Sequence, residues 1–161
     1  MAKSILSKIG RTAKRSVIGA IKSTGETAES IVEATRDVLM VTVDGVTHVA
    51  VAAEKGVGQI VAGAVEAAVE VGADVMLAIK SAVKGTVKGA SQVGADVGKT
   101  AVAAVKEAVK AAGEIGEDTA EAVEHATTGA IEAAGEIGGE TAESVRKILR
   151  STFKGAKAAS R

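Results

Sequence analysis

The amino-acid sequence predicts an all-α protein built from long amphipathic helices that fold back on one another or pack side by side. Three observations predict this fold: the 161 residues include no proline, the 47% of hydrophobic residues are mostly alanine and valine, and a 22-residue repeat runs through much of the chain. Alanine is the best helix former, whereas proline interrupts a helix interior. Because alanine carries little apolar area, a core of this composition requires helix backbones that approach closely.

The first predicted element, residues 1–37, is a basic amphipathic helix. Residues 1–22 contain six cations and no acid. Apolar residues recur at helical spacing opposite these cations, and they are Ile5, Leu6, Ile9, Ala13, Val17 and Ile21. Basic amphipathic helices suit anionic membrane surfaces. The element therefore predicts either contact with such a surface or an ordinary solvated helix.

The second predicted element, residues 38–59, is rich in valine. Residues 38–53, VLMVTVDGVTHVAVAA, contain Asp44-Gly45, which is a hairpin signal. A lone hairpin is marginal in water and the flanking sequences are helical, so helix is favoured over strand. A turn between helices, near Asp44-Gly45 or at residues 54–58, fits the same sequence.

The third predicted element, residues 60–147, consists of four 22-residue repeats. Segments 104–125 and 126–147 share the run AAGEIG, and the frame extends back to Val71 and Val93. Eleven residues fill three helical turns, so a 22-residue repeat keeps its apolar residues on one face of a helix. The apolar phase continues through the glycines of each repeat, which favours a continuous helix. The alternative is a short helix and a turn in each repeat, since Asp118 begins a sequence typical of a helix start.

Glycine recurs at one position of this frame, beside a valine or isoleucine on the predicted apolar face. If the helix is continuous, such glycines are close-packing contacts between helices. The predicted packing residues are Gly72, Gly94, Gly116, Gly138, Val71, Val93, Ile115 and Ile137.

The last predicted element, residues 148–161, is a basic helix end. Residues 145–161 contain six cations and no acid, whereas the stretch between Lys110 and Arg146 holds nine acids and no cation. Such charge asymmetry fits pairing between neighbouring copies or contact with an anionic surface. The candidate membrane-surface residues at the two ends are Lys3, Lys8, Arg11, Lys14, Arg15, Arg150, Phe153 and Lys154.

The residue inventory argues against an enzyme, a cofactor site and a metal site. Cysteine is absent, and His48 and His125 lie far apart in sequence. The fragment ending in Gly98-Lys99-Thr100 has three residues between its glycines instead of the four of a P-loop. Nucleic acid is an unfavoured partner because stacking aromatics and net positive charge are lacking. The longest charge-free run, residues 56–65, is too short for a transmembrane helix, and no secretory signal is evident.

The repeats resemble those of known hendecad proteins. Eleven-residue helical repeats rich in Ala, Gly, Val, Thr, Lys and Glu are similar to those of synucleins, perilipin-type droplet coats and late-embryogenesis-abundant proteins, and residues 46–65 have the texture of a synuclein lipid-binding region. This resemblance implies a helix that orders on a lipid surface. The synuclein core Lys-Thr-Lys-Glu-Gly-Val is absent, and the acids of residues 114–143 disfavour an anionic surface there.

Two functions follow as expectations. The first is a structural protein that self-assembles through small-residue helix faces into a homo-oligomeric bundle, filament or tube. The second is a peripheral lipid-binding coat of membranes, vesicles or droplets. Both predict an intracellular protein, peripheral at a membrane in the second case. Protective disorder is disfavoured because the chain is too apolar and too weakly charged.

Overall fold

A computed structural model of the chain describes residues 8–24, 28–43 and 49–153, and within these ranges all regular structure is helical. The helices are α1 (Lys8–Thr24), α2 (Ala28–Val43), α3 (Val49–Val71), α4 (Val75–Gln92), α5 (Val97–Glu114), α6 (Thr119–Ile137) and α7 (Gly139–Thr152). The all-α prediction is confirmed.

Three successive helices begin in the same way. Asp74, Asp96 and Asp118 precede α4, α5 and α6, and they lie 22 residues apart. Each carboxylate accepts a hydrogen bond from the backbone N–H three residues later, over 3.1 Å, 2.9 Å and 3.1 Å. These bonds satisfy N–H groups that have no partner within the first turn of a helix. The repeat therefore encodes a helix start.

The helices before these starts also end in the same way. Gly72, Gly94 and Gly116 have φ of 73°, 80° and 83°. At each end, the N–H of the residue after the glycine donates to a carbonyl five residues back over 2.8 Å, as Ala95 donates to Ala90. This is the Schellman arrangement, in which a glycine in the left-handed region closes the helix. The prediction of a continuous helix through residues 60–147 is therefore wrong, and its alternative, a helix and a turn in each repeat, is correct.

We expect Gly94→Ala to lower the free energy of unfolding by about 1 kcal/mol, because an L side chain at positive φ is strained. The substitution leaves the packing unaltered, since a Cβ at this position meets nothing within 4 Å. Urea denaturation measures the change. Gly19→Ala is the control: Gly19 is exposed and lies inside α1 with open space around its Cβ position, so that variant should gain stability. Equal stability of the two variants would contradict the assigned helix end.

The fourth repeat departs from this pattern. Gly138 alone separates α6 from α7, and it is both the C-cap of α6 and the N-cap of α7. Its φ of 169° is extended backbone, which any residue adopts, and no side chain caps the start of α7. The break predicted as the alternative at Gly138-Gly139 is thus a one-residue kink at Gly138.

The seven helices form an open, two-row array. Each helix contacts the next helix and the next but one, and no other pair of helices is in contact within the described ranges. Contacts between alternate helices place α1, α3, α5 and α7 in one row and α2, α4 and α6 in the other. Alternate helices run parallel, since Lys80 and Lys88 of α4 meet Glu132 and Glu136 of α6 in that order. An array with only such near-neighbour contacts is a solenoid.

The core between the rows is made of small side chains. Alanine and valine supply most of its buried residues, and among the side chains that the structure describes, five larger than valine are fully buried. These are Ile31, Leu39, Ile60, Ile79 and Leu149. Buried threonines are satisfied within their own helices, as Thr86 donates to the carbonyl of Ala82 over 3.0 Å. The core is therefore poor in large apolar side chains, in keeping with the composition.

The valine-rich segment is helical wherever the structure describes it. Residues 38–43 close α2 and residues 49–59 lie in α3, so the strand alternative is wrong there. Asp44-Gly45 and His48 lie outside the described residues. The predicted turn at residues 54–58 is also wrong, because α3 runs through them.

Candidate functional site

Three glycines mark the closest approaches between alternate helices. A Cβ at Gly63 would collide with the backbone of α1 at Gly10, one at Gly85 with Thr35 and Val32 of α2, and one at Gly129 with the Lys80 carbonyl of α4. The three occupy equivalent positions of the 22-residue frame, 63, 85 and 129. We name them the crossing glycines. Close contact through recurring glycine thus exists inside the chain, at a position that the sequence analysis did not select.

In the described part of the chain, the glycines selected from sequence have open space where a side chain would lie. A Cβ at Gly72, Gly94, Gly116 or Gly138 meets nothing within 4 Å. Their partners from the prediction sit at helix ends: Val71 and Val93 are half-buried, whereas Ile115 and Ile137 are 39% and 38% exposed. The three glycines at positive φ are explained by their turns. Packing of these residues between separate chains stays a prediction.

Glu107 of α5 occupies the one position of this frame without a crossing glycine, between Gly85 and Gly129. It faces Gly58 of α3, where a Cβ would lie 3.4 Å from the Glu107 Oε1. Burial raises the pKa of Glu107 above its ordinary value of 4.5, with Lys110 opposing and Glu114 adding to the effect. The α3–α5 crossing therefore holds a half-buried carboxylate in place of a backbone contact.

We expect Glu107→Gln to stabilise the fold at neutral pH by less than about 1 kcal/mol. An acid with a raised folded pKa binds its proton more tightly when folded, so stability falls as pH rises from about 4.5 through the folded pKa and then stays lower. Glutamine keeps the shape without the charge. Urea midpoints at pH 4 to 8 measure this, with exposed Glu143→Gln as control. A wild-type stability that rises across this interval relative to Glu107→Gln would contradict the assignment.

An ion-pair ladder joins α4 to α6 along their exposed sides. The Lys84 ammonium lies between Glu132 and Glu136, at 3.5 Å and 3.1 Å from their carboxylates. Lys80 pairs with the other oxygen of Glu132 at 3.3 Å, and Lys88 pairs with the other oxygen of Glu136 at 2.9 Å. Burial disfavours the charged form of Lys84, but the two carboxylates outweigh it and raise its pKa. Hydrogen bonds from Lys88 and Lys84 lower the pKa of Glu136. The stability that Glu136 contributes is therefore present above pH 4.5 and lost as pH falls through its folded pKa.

Most of the predicted membrane-surface residues that are described lie on α1. Lys14 forms ion pairs with two carboxylates of α3, at 2.9 Å from Glu70 and 3.6 Å from Glu66. These carboxylates raise the pKa of Lys14. Lys8, Arg11 and Arg15 are exposed. The apolar side of α1 is covered, since Ala13 and Val17 are fully buried. The helix therefore presents cations to solvent but no free apolar face below them.

The C-terminal candidates divide similarly. Arg150 is exposed on α7, whereas Phe153 is half-buried and packs against the core. Lys3 and Lys154 lie outside the described residues.

A groove of about 590 Å³ opens between α1 and α2 at the N-terminal end of the solenoid. Residues of both helices line it, and these are Lys8, Ile9, Thr12, Ser16, Ala34, Asp37, Val38, Val41 and Thr42. Val41 is 76% exposed, the most of any large hydrophobic residue in the described ranges. On α2, Ala34, Val38 and Val41 form one row of the helix beside Thr35, which faces α4. We name this surface the end groove; it was not identified from the sequence.

The opposite end of the solenoid differs in chemistry. The exposed residues of α7 are mainly polar, and they are Gly139, Glu140, Glu143, Ser144, Lys147, Ile148, Arg150, Ser151 and Thr152. Terminal repeats of solenoids need a polar outer side to stay soluble. By this criterion α7 caps its end, whereas among the described residues the end groove presents apolar side chains at the other end.

Other chemistry is sparse in the described part of the chain. A second, smaller depression of about 320 Å³ lies at Lys88, Gln92, Glu136 and Ile137, beside the end of the ladder. No group of three or more His, Asp or Glu side chains there could hold a metal ion. Of the helices described, none has the length and apolar character needed to cross a bilayer.

Comparison with protein-family models, curated proteins and solved structures gives no match for this chain.

Proposed function

We propose that this protein is a structural protein that acts by associating with copies of itself. The observation that carries the proposal is the exposed apolar surface of the end groove, at the N-terminal end of the described part of the solenoid. A solenoid grows by adding helices to its ends, so an end with an apolar groove is a surface on which further helices can pack. Contiguous exposed apolar surface of this kind marks interaction sites in soluble proteins.

The internal packing supports the same proposal. Alternate helices approach closely at glycines, and complementary charges line the α4–α6 crossing. A chain whose own helices associate by these contacts can offer the same contacts to another copy. The absence of recognisable catalytic motifs in the sequence favours a structural role over an enzymatic one.

Light scattering coupled to size-exclusion chromatography tests the proposal on the full chain. The monomer mass is 15.9 kDa. A larger particle whose mass rises with concentration, with full helicity by circular dichroism and no lipid present, supports self-association. A monomer at every concentration would sink it.

The lipid-coat function remains a second proposal because of the cations on α1. Lys8, Arg11, Arg15 and Lys22 are exposed on a helix without acids. With its apolar side buried, α1 would bind an anionic bilayer by charge alone, so binding should disappear at high salt. Co-sedimentation with anionic and with neutral vesicles at low and high salt checks this. Binding to neutral vesicles, or salt-resistant binding, would contradict this mechanism.

A further inference from the structure

We infer that the end groove binds the end groove of a second copy, so that the assembly is a closed pair related by twofold symmetry. The inference rests on the proposed self-association and specifies its surface and its stoichiometry. It differs from the filament and tube expected from sequence, which need two different mating faces.

The chemistry of the end groove is self-complementary. Apolar and small side chains occupy most of its lining, and Lys8 and Asp37 add one cation and one carboxylate. A face that carries both signs can pair with a copy of itself, whereas a face with only cations repels its copy. Arg36 binds a single oxygen of Asp37, at 3.0 Å and 3.2 Å, and the Asp37 side chain remains 63% exposed.

The cations that would oppose such a pair lie beside the groove. Arg11, Arg15 and Lys22 of α1 are absent from its lining. Arg11 and Arg15 lie three residues from Lys8 and Thr12 respectively, so they border the lining residues on the surface of α1. Pairing through the groove therefore leaves these cations at the border of the contact rather than inside it.

The polar end of the solenoid explains why the pair should close. Growth beyond two copies requires α7 to accept an apolar surface, and its exposed residues are mainly charged or hydroxylated. Covering those residues with an apolar groove would desolvate charges without partners. One groove per chain then limits the assembly to two chains.

Val41→Asp tests the surface. Val41 is exposed, so the substitution leaves the fold intact, but pairing would bury an unpaired carboxylate and weaken association by about tenfold or more. The matched control is Val69→Asp on α3, at the second most exposed large hydrophobic residue, 49% exposed and outside the groove. Sedimentation velocity over a concentration series measures association, and circular dichroism checks folding.

The outcomes separate the two proposals. A wild-type dimer, a monomeric Val41→Asp variant and a dimeric Val69→Asp variant support the inference. A wild-type monomer overturns the proposed self-association itself. A wild-type assembly that Val41→Asp leaves unchanged, or a wild-type particle larger than two chains, overturns only the end-groove pairing.

A charge exchange tests the twofold symmetry. Lys8→Asp and Asp37→Lys should each weaken their own homodimer, because each gives the groove one sign of charge. An equimolar mixture should form a mixed dimer, since each copy then meets the opposite sign. Failure of the mixture to associate better than either variant alone would overturn the pairing of like faces.

Discussion

Replacing Gly85 with alanine is expected to lower the free energy of unfolding by about 3 kcal/mol, towards the upper end of what overpacking costs. A Cβ on Gly85 would overlap Thr35 Oγ1 and the Val32 carbonyl oxygen, and would lie 3.2 Å from the Arg36 amide nitrogen. Two of these neighbours are backbone atoms of α2, so relief requires α2 and α4 to separate. Because α4 also packs on α6, moving α4 away from α2 disturbs the α4–α6 contact as well.

Gly135→Ala is the matched control for this variant. Gly135 is an exposed helical glycine of α6, and a Cβ there meets nothing within 4 Å. Helix propensity alone then acts, and we expect a gain of up to about 1 kcal/mol. Urea unfolding of the two variants beside the wild type measures the contrast. A Gly85→Ala variant as stable as Gly135→Ala would contradict the close approach of α2 and α4.

Gly129→Ala should show the same loss that is expected for Gly85→Ala. Gly129 meets the Lys80 carbonyl of α4 as Gly85 meets that of Val32 in α2. The two glycines lie at equivalent positions two repeats apart. A loss at one site but not at the other would show that the crossings are not equivalent.

The sequence predicted the helical class, but not that Gly72, Gly94 and Gly116 end helices instead of lying within one continuous helix. A hydrophobic period of eleven residues is satisfied by one long helix and also by short helices that each present the same face. The distinguishing signal was available: Gly72, Gly94 and Gly116 are each followed two residues later by an aspartate. A glycine that ends a helix and an aspartate that begins the next form a turn signature. The unbroken apolar phase outweighed that signature in the prediction.

The crossing glycines do not stand out in the sequence. The predicted packing glycines recur beside large apolar residues, and the crossing glycines do not share that feature consistently. Gly63, Gly85 and Gly129 recur too, but Glu107 interrupts their series, and only the three-dimensional pairing of alternate helices distinguishes them from exposed Gly135. Which helix lies against which is a tertiary property that the period of one helix does not contain.

Of the two candidate surfaces, the sequence predicts the exposed cations of α1 but not the end groove. The exposed cations of α1 follow directly from its sequence, since they occupy the polar side of an amphipathic helix. The end groove does not, because α2 resembles other buried helices and only its position at the end of the array leaves Val41 uncovered. A terminal helix differs from an internal one by the neighbour it lacks.

Leu39→Ala is expected to be the other strongly destabilising change, by about 3 kcal/mol. Leu39 is fully buried and is one of the few large side chains in a core of alanine and valine. Its δ carbons lie against the glycines of two helices, 3.2 Å from a Cβ position on Gly89 of α4 and 3.7 Å from one on Gly56 of α3. Leu39 thus fills space that these glycines leave open, and no larger neighbouring side chain at either position can move into the cavity.

Val69→Ala on α3, outside the end groove, is the control for the Leu39 cavity. The Val69 side chain is 49% exposed and loses little burial on truncation, so stability should change by less than about 0.5 kcal/mol. Thermal and urea unfolding measure both variants. Because glycines surround Leu39 on two sides, its removal should loosen α2, α3 and α4 together and keep a single cooperative transition at lower denaturant. A second, separate transition would show instead that α2 unfolds on its own, and that Leu39 does not join the two rows.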